Sequence, residues 1–451
     1  MDSHRNIEPY LSDFEVFEKS LNGEASSDVH SIRKAAITRF SELGFPTRKQ
    51  EDWKYIDLSP LVDITFKLAL AQDGARVSRR DIEKEGFGGT AGNRAVCVNG
   101  RFADYLSDTA SLPHGILVES LAQSLKRGEP LVLRHLAQHA QFHDDSFTAL
   151  NTAFLSDGIV AHIPEGVVVD EPLHFVYIST KSDAEFINHP RSLVIAGVNS
   201  RSVIVESFVN LADSTYFTNS VTEIFLDENA SLEHERIQRE GRHAFHVGAL
   251  HVHLERNGNF VSNNINLGAA LARNTIGVVL NGEGGEATLN GLYAGSGNQV
   301  IDNHTTIDHA RPHCSSHELY KGILDGRSKG VFNGKIIVRK DAQKTDAKQT
   351  NKNLLLSEGA TIDTKPQLEI YANDVKCTHG ATTGQLDDES LFYMRSRGIP
   401  CEKAREMLID AFANDVIERV KAEPVRSELE SLLRARLKDI RSRKENSADR
   451  D

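Results

Sequence analysis

Cysteine is scarce in this chain. Four residues in 451, Cys97, Cys314, Cys377 and Cys401, stand far apart with no CxxC among them. That excludes a disulfide framework and fits a reducing cytosol. Aromatic residues make up only 7% and include one Trp, so no aromatic platform accompanies the chain's many carboxylates. Positive charge is also short, and a net charge of -12 argues against nucleic acid or an anionic membrane as main partner. No apolar run reaches the roughly 18 residues of a spanning helix. The opening MDSHRNIEPYLSDFEVFEKSL is acidic and lacks an apolar core, so it reads as neither a secretory signal nor a transit peptide. The glycine-rich NGEGGEA, 281–287, lacks the Gly-Lys-Ser/Thr of a phosphate loop, and no GxSxG or HExxH occurs.

What remains is ordinary globular material in an unusual arrangement. Hydrophobic residues at 39% and charged residues at 26% can build a large core, and the length suggests two or three units. Tyr10, Leu11, Phe14, Phe17 and Leu21 recur at three- and four-residue spacing, as do Ile32, Ala36, Phe40 and Leu43, so two helices open the chain. A polar segment anchored by Trp53 and Tyr55 follows. Residues 94–125 read as a small mixed unit, with a helix expected over Leu117–Leu125. From about Asp157 to Leu386, short alternating runs such as SVIVESFV, LHVHLE and KIIVR are punctuated by Gly, Asn and Asp. Asn199, Asn229, Asn257 and Asn281 lie roughly 24 to 30 residues apart, and later punctuation tightens to roughly 15 to 20. Short strands with polar corners and no helices between them predict a parallel β-helix, with a β-sandwich as the competing arrangement. After Pro400 the helical period returns. Ala404, Met407, Leu408, Ala411, Phe412, Val416 and Val420 form one expected stripe, and Val425, Leu429, Leu432, Leu433, Leu437 and Ile440 another. This pair either packs on its own β-domain or docks a partner.

Three constellations could carry chemistry. In NDVKCTHGATTGQL, Cys377 stands two residues before His379, and in a strand both would share one face, able to reach one soft metal or an iron–sulfur cluster. Gly380 has no Cβ and would let a partner backbone come close. A buried thiol beside a core imidazole is the plainer reading. DNHTTIDHARPHCSSHELYKG holds His304, His309, His313, His317 and Cys314; His313 and Cys314 are the candidate metal ligands there, against solvated corner histidines. Lys340, Lys344, Lys348 and Lys352 are spaced by four and would share one face of an extended chain, a solvated face or a docking surface. Cys401 is expected to pack at a helix start, and Cys97 to lie in the core.

Taken together, FPTRKQEDWKYIDLSPL, FTALNTAFLSDGIVAHIPEGVVVDEPLHFVYI and the long run from HCSSHELYKG to FYMRSRGI resemble the SufB/SufD family of the Suf iron–sulfur cluster assembly machinery. The EDWKYIDL-type segment is similar to the SufD branch rather than the longer SufB. The resemblance implies a mainly β fold: a right-handed parallel β-helix core over 141–388, between an N-terminal helical or mixed region, 1–140, and a C-terminal helical region, 389–451. It also implies a non-catalytic scaffold in a SufBCD complex, pairing with a SufB-like subunit through the β-helix and binding the ABC-type ATPase SufC through the C-terminal region. Arg395, Arg397, Gly398, Ile399 and the following helix, with Met407, Leu408 and Phe412, match the SufC-contact region. His379 matches the family's histidine proposed to ligate a nascent iron–sulfur cluster shared with SufB, and Cys377 the neighbouring thiol. Asn373 stands where the family often has Asp, and Thr378 where Ser is common. Reduced flavin in the full complex, a homodimer of the chain alone and a cytoplasmic location belong to the same set of implications. A SufB-like cluster carrier and a β-helix enzyme acting on carbohydrate are the alternative readings.

Overall fold

In the computed structural model, residues 5–21, 27–69, 77–84, 93–169, 171–180 and 184–448 are described, with side chains to 436. The middle of the chain winds into a parallel β-solenoid of two facing sheets. One sheet runs through Gly158–Ile163, Arg191–Ala196, Tyr216–Leu226, Phe245–Leu254, Leu271–Leu280, Val300–His309, Lys329–Val338 and Thr361–Ile370. The other runs through Leu173–Ser179, Arg201–Asn210, Ser231–Gln238, Asn259–Asn266, Glu286–Gly295, Ser315–Leu324, Asp346–Leu355 and Lys376–Gly384. Consecutive strands alternate between the sheets, and each pairs in parallel with the strand one coil on, as Leu271 does with Val300. A sandwich would have needed hairpins, so the expected parallel β-helix holds.

The corners explain the punctuation. Asn199, Asn229 and Asn257 take the left-handed conformation with φ of 57°, 56° and 54°, which Asn tolerates better than most residues. Their amides form a ladder, Asn229 Nδ2 donating to Asn199 Oδ1 and Asn257 Nδ2 to Asn229 Oδ1, each at 3.0 Å. The next rung is not Asn281 but Gly284 (φ 73°), followed by His313 and Lys344. A second column of corners passes through Gly297 and Gly326. Two corners per coil of roughly 30 residues account for the tighter spacing seen later in the chain.

Alternation then decides what faces where. Inward positions such as Ile204, Leu232, Phe260 and Leu289 fill the solenoid with apolar side chains. Beside them runs a buried polar file. Glu206, 0% exposed, accepts from Thr222 Oγ1 at 2.8 Å and lies 3.1 Å from His234 Nε2 and 3.7 Å from Arg236. Burial alone would raise its carboxyl, but the His234 hydrogen bond and the two cationic neighbours outweigh it, giving a pKa of about 2.

Both outer faces are covered along most of their length. Helices Glu8–Ser20, Asp28–Leu43 and Ser146–Ala153 bring Tyr10, Phe14, Phe40, Phe45, Phe147 and Phe154 into one aromatic cluster. That cluster sits on Phe217, Phe245, Val247 and Leu271 of the first sheet. Trp53 is wedged there, its ring 5.3 Å from that of Phe147 and 3.6 Å below the Arg273 guanidinium. On the second sheet Ile237, Ile265, Leu292 and Ile323 are covered by Ile409, Ala413 and Val416 of helix Cys401–Ile417, Val420 of the turn after it, and Val425 and Leu429 of helix Glu423–Ala448. Burying each such aliphatic chain contributes about 1.5–3 kcal/mol.

Three local expectations change. Leu117–Ser120 is a strand antiparallel to Gly158–Ile163, and the helix begins only at Leu121, where Ser120 accepts from the Gln123 N–H. The residues 94–125 are therefore not a free unit: Arg94–Val98 pairs with Leu173–Ser179 and closes the first coil. In helix Cys401–Ile417 the buried stripe is Ala404, Ile409, Ala413, Val416 and Ile417, whereas Met407 and Ala411 are exposed and Leu408 half-buried. The helix is apolar on two sides, and the expected stripe mixes them: Ala404, Val416 and Val420 are buried, whereas Met407, Leu408 and Ala411 lie toward the side turned away from the sheet. In the last helix Val425, Leu429 and Leu433 are buried as expected; the side chains of Leu437 and Ile440 lie outside the described residues.

Candidate functional site

The last coil is the uncovered part of the solenoid. Among the described residues Thr361–Ile370 and Lys376–Gly384 each end a sheet and pair along one edge only. The strand Lys376–Gly384 is exposed at every position but Cys377. Two neighbouring free strand edges expose unpaired N–H and C=O groups, a template for another strand.

Cys377 and His379 lie on that final strand. Cys377 is in register with Ala347 and His379 with Gln349; Ala347 is 0% and Gln349 2% exposed, so both last-strand side chains project over the open end of the solenoid. Their surroundings differ. Cys377 packs against Ile336, Val338, Ala342 and Ala347. Burial raises its thiol pKa, the Asp346 carboxylate adds to the rise, and a backbone hydrogen bond from Ala347 offsets part of it. A raised thiol pKa disfavours the thiolate, the form that ligates a metal. His379 is exposed. One coil further in, the Gln349 amide Nε2 donates to Glu318 Oε2 at 2.6 Å. Burial pushes the Glu318 carboxyl up to about 7, against hydrogen bonds from Thr305 and Gln349 that pull it down.

The histidine-rich segment disperses. His304 and Asp302 face the N-terminal helices, their Nε2 and Oδ1 3.0 Å apart. His309 bonds Ser316 inside the solenoid at 2.9 Å, and His317 is exposed. His313 is a corner residue with φ 60°, and Cys314 is buried with its sulfur donating to the Gly282 carbonyl at 3.3 Å. Among the described residues no three His, Cys, Asp or Glu side chains converge in a metal-binding arrangement. The lysine series is split by the Lys344 corner, φ 63°, which pairs with Asp374; Lys348 and Lys352 alone share a strand face. All four cysteines are free, Cys97 buried as expected but Cys401 exposed rather than packed.

A second surface lies beyond the open coil. Asp387 caps helix Asp388–Ser396 by accepting from the Ser390 N–H at 2.9 Å. That helix has no buried residue, and Phe392 and Tyr393 are 73% and 59% exposed. Arg395 and Arg397 are exposed, with Arg397 stacked on Tyr393 at 5.2 Å. Gly398 (φ 84°) turns the chain, and Ile399 N–H returns to the Met394 carbonyl at 3.2 Å. Met407, 43% exposed, lies on the outer side of the next helix. Phe412 instead sits under Lys321, whose Nζ is 4.4 Å from its ring and donates to its carbonyl at 2.9 Å. Phe392 and Tyr393 were not singled out in the sequence; the Asp387-x-x-Ser390 cap was the signal for their helix.

Between the N-terminal helices and the first sheet, a cavity of about 370 Å³ is lined by Trp53, Asp145, Arg273, His304, Asn333 and Lys335. Among the described residues no helix is long and apolar enough to cross a membrane.

Comparison with known proteins places these features in context. Residues 177–412 match the model for the SUF system FeS cluster assembly SufBD core domain, and residues 4–175 that for the SufBD protein N-terminal region. An iron-sulfur cluster assembly SufBD family protein of Synechocystis sp. is 33% identical over 410 residues, covering 89% of each chain. The iron-sulfur cluster assembly protein SufD of Escherichia coli is 32% identical over 397 residues, 87% of this chain and 90% of that one. SufD of Bacillus subtilis is 26% identical over 337 residues, 72% and 74% of the two chains.

Proposed function

Because the chain belongs to the SufBD family of iron–sulfur cluster assembly proteins, we propose that it is the SufD-like scaffold subunit of a Suf complex. It carries one part of a cluster site rather than a whole one. The observation that carries this reading is the uncovered last coil, with His379 and Cys377 over its open end and both sheet edges free. Two ligands are too few to close a cluster site, which usually takes about four, so the remaining ligands come from a partner that pairs with these edges. A SufB-like chain of the same fold offers matching edges, and pairing the two solenoids end to end would enclose the groups. The nascent cluster is the cargo of this site. His379 is its ligand from this chain; Cys377 takes part only where its proton is drawn off.

The ATPase partner is assigned to the second surface, where Phe392, Tyr393, Arg395, Arg397, Ile399, Met407 and Leu408 lie around the turn at Gly398. No catalysis is assigned to this chain, and the complex works in the cytosol. A flavin does not fit the glycine-rich loop 281–287. A Cβ on Gly282 would meet the Arg256 backbone at 2.0 Å, and one on Gly284 the Asn257 side chain at 2.5 Å. The loop is filled by the neighbouring coil.

The test is reconstitution with SufB-type and SufC-type partners, comparing wild type with His379→Ala. Loss of cluster formation in an intact complex supports the assignment. Unchanged cluster formation removes His379 from the mechanism.

A further inference from the structure

The register of the last three coils stacks three polar side chains in one inward file: His379 over Gln349, and Gln349 over Glu318. Gln349 is 2% and Glu318 4% exposed. The lower contact is made, Gln349 Nε2 to Glu318 Oε2 at 2.6 Å. That bond sets which way the amide points, its nitrogen donating to a carboxyl oxygen of Glu318 that accepts whether or not the other oxygen carries the proton. The amide oxygen is thereby turned away from Glu318, and Gln349 Oε1 is buried without a hydrogen-bond partner among the described residues. An orphaned carbonyl-type acceptor in a protein interior is costly and calls for a donor. The residue one strand spacing above it, about 4.8 Å away along the file, carries a ring N–H.

We propose that Gln349, oriented from beneath by Glu318, is the positioning residue for His379. Its Oε1 accepts one imidazole N–H, so that in the neutral ring the opposite nitrogen carries the lone pair and faces out of the solenoid. A metal-ligating imidazole needs such an outer partner, because the hydrogen bond on one nitrogen sets the tautomer and the aim of the other. The inference rests on the reading of His379 as a ligand and adds how the chain prepares it. It also gives the buried carboxyl of Glu318 a role that its depth in a solenoid core otherwise lacks. Gly334, facing this file, fits the same picture: a Cβ there would come within 2.2 Å of Gln349 Nε2, so glycine leaves room for the amide.

The test is ring nitrogen NMR on the full chain labelled with 15N-histidine, with His379 assigned by the signal lost in His379→Ala. Exposed His317 on the same sheet serves as the internal standard for an unheld imidazole. In wild type the His379 tautomer ratio is expected to depart from that of His317 by about three- to tenfold, the worth of one hydrogen bond. Gln349→Met should bring it to the His317 value, and Gln349→Glu, which keeps an acceptor, should preserve the departure. Glu318→Leu leaves Gln349 in place but frees the amide to turn, and should weaken the effect independently; circular dichroism checks each fold. A His379 signature equal to that of His317 in wild type, or unchanged in both Gln349→Met and Glu318→Leu, overturns the proposal. Cluster reconstitution reads the other question. If His379→Ala assembles clusters normally while the tautomer effect is present, the positioning stands and the ligand assignment falls.

Discussion

The proposed docking of an ATPase partner can be tested apart from folding, because the C-terminal helix Cys401–Ile417 has two apolar sides. Its inner side places Ile409, Ala413, Val416 and Ile417 on the second sheet. Its outer side and the preceding helix leave Met407 43% and Phe392 73% exposed. Replacing both with Glu removes little buried area, so folding stability should change by no more than about 0.5 kcal/mol per site. If these residues anchor the interface, each loses about 2–4 kcal/mol of binding. One substitution then weakens affinity about 30- to 1000-fold, and the pair abolishes measurable binding. Phe412 cannot serve as the probe, although the sequence groups it with Met407 and Leu408. Its ring lies under Lys321, and Lys321 also pairs with Asp415 at 2.7 Å. A charge there destabilises the helix attachment and would lower binding for either reason. Ile417→Ala is the converse control: about 2–5 kcal/mol lost in stability, with affinity per folded molecule retained. The assay is titration calorimetry against the purified ATPase, with urea denaturation of each variant alongside. An affinity within threefold of wild type in the Met407→Glu, Phe392→Glu double variant would refute the surface assignment.

Three further outcomes are expected. A Cβ on Gly380 meets nothing within 4 Å, so Gly380→Val should leave the isolated chain's melting temperature unchanged while weakening end-to-end pairing at least tenfold; equal pairing by analytical ultracentrifugation contradicts the edge model. Glu223, 0% exposed, accepts from Arg191 Nη2 at 2.7 Å and from the N–H groups of Ala137, His139 and Ala140, tying the N-terminal region to the first sheet. Glu223→Gln leaves Arg191 buried beside a neutral partner and should cost about 3–5 kcal/mol by urea denaturation. The Glu318 carboxyl is raised from 4.5 to about 7 by burial, so between those pH values the folded chain holds a proton that the unfolded chain has released. Its contribution therefore falls as pH rises through that window, by on the order of 3 kcal/mol, and Glu318→Gln should flatten that limb of the stability–pH curve.

Much of the architecture was legible because a solenoid repeats its instructions. Asn199, Asn229 and Asn257 each turn a corner, and the same polar residue at the same place in successive coils stands out in a linear reading. The column then passes to Gly284, His313 and Lys344, where different residues satisfy one backbone requirement, and a search for asparagine settles on Asn281 instead. The helix Cys401–Ile417 shows a second limit: three- and four-residue spacing reports an apolar face but not what covers it, and here one face meets the sheet and another meets solvent. Proximity along the chain is not proximity in space at His304, His309, His313 and Cys314, because alternation and a corner send neighbours in different directions. The candidate site reverses that lesson. Cys377 and His379 are visible as a pair because they are two residues apart on one strand. What distinguishes them is the coil beneath, Ala347 and hydrophobic neighbours under the thiol, Gln349 and Glu318 under the imidazole. Those residues are roughly one and two coils earlier in the chain, and only the register brings them under the last strand. The physical difference between a sheltered thiol and a presented imidazole is therefore a property of the stacking, and substitutions at positions 318 and 349 reach it without touching the site's own motif.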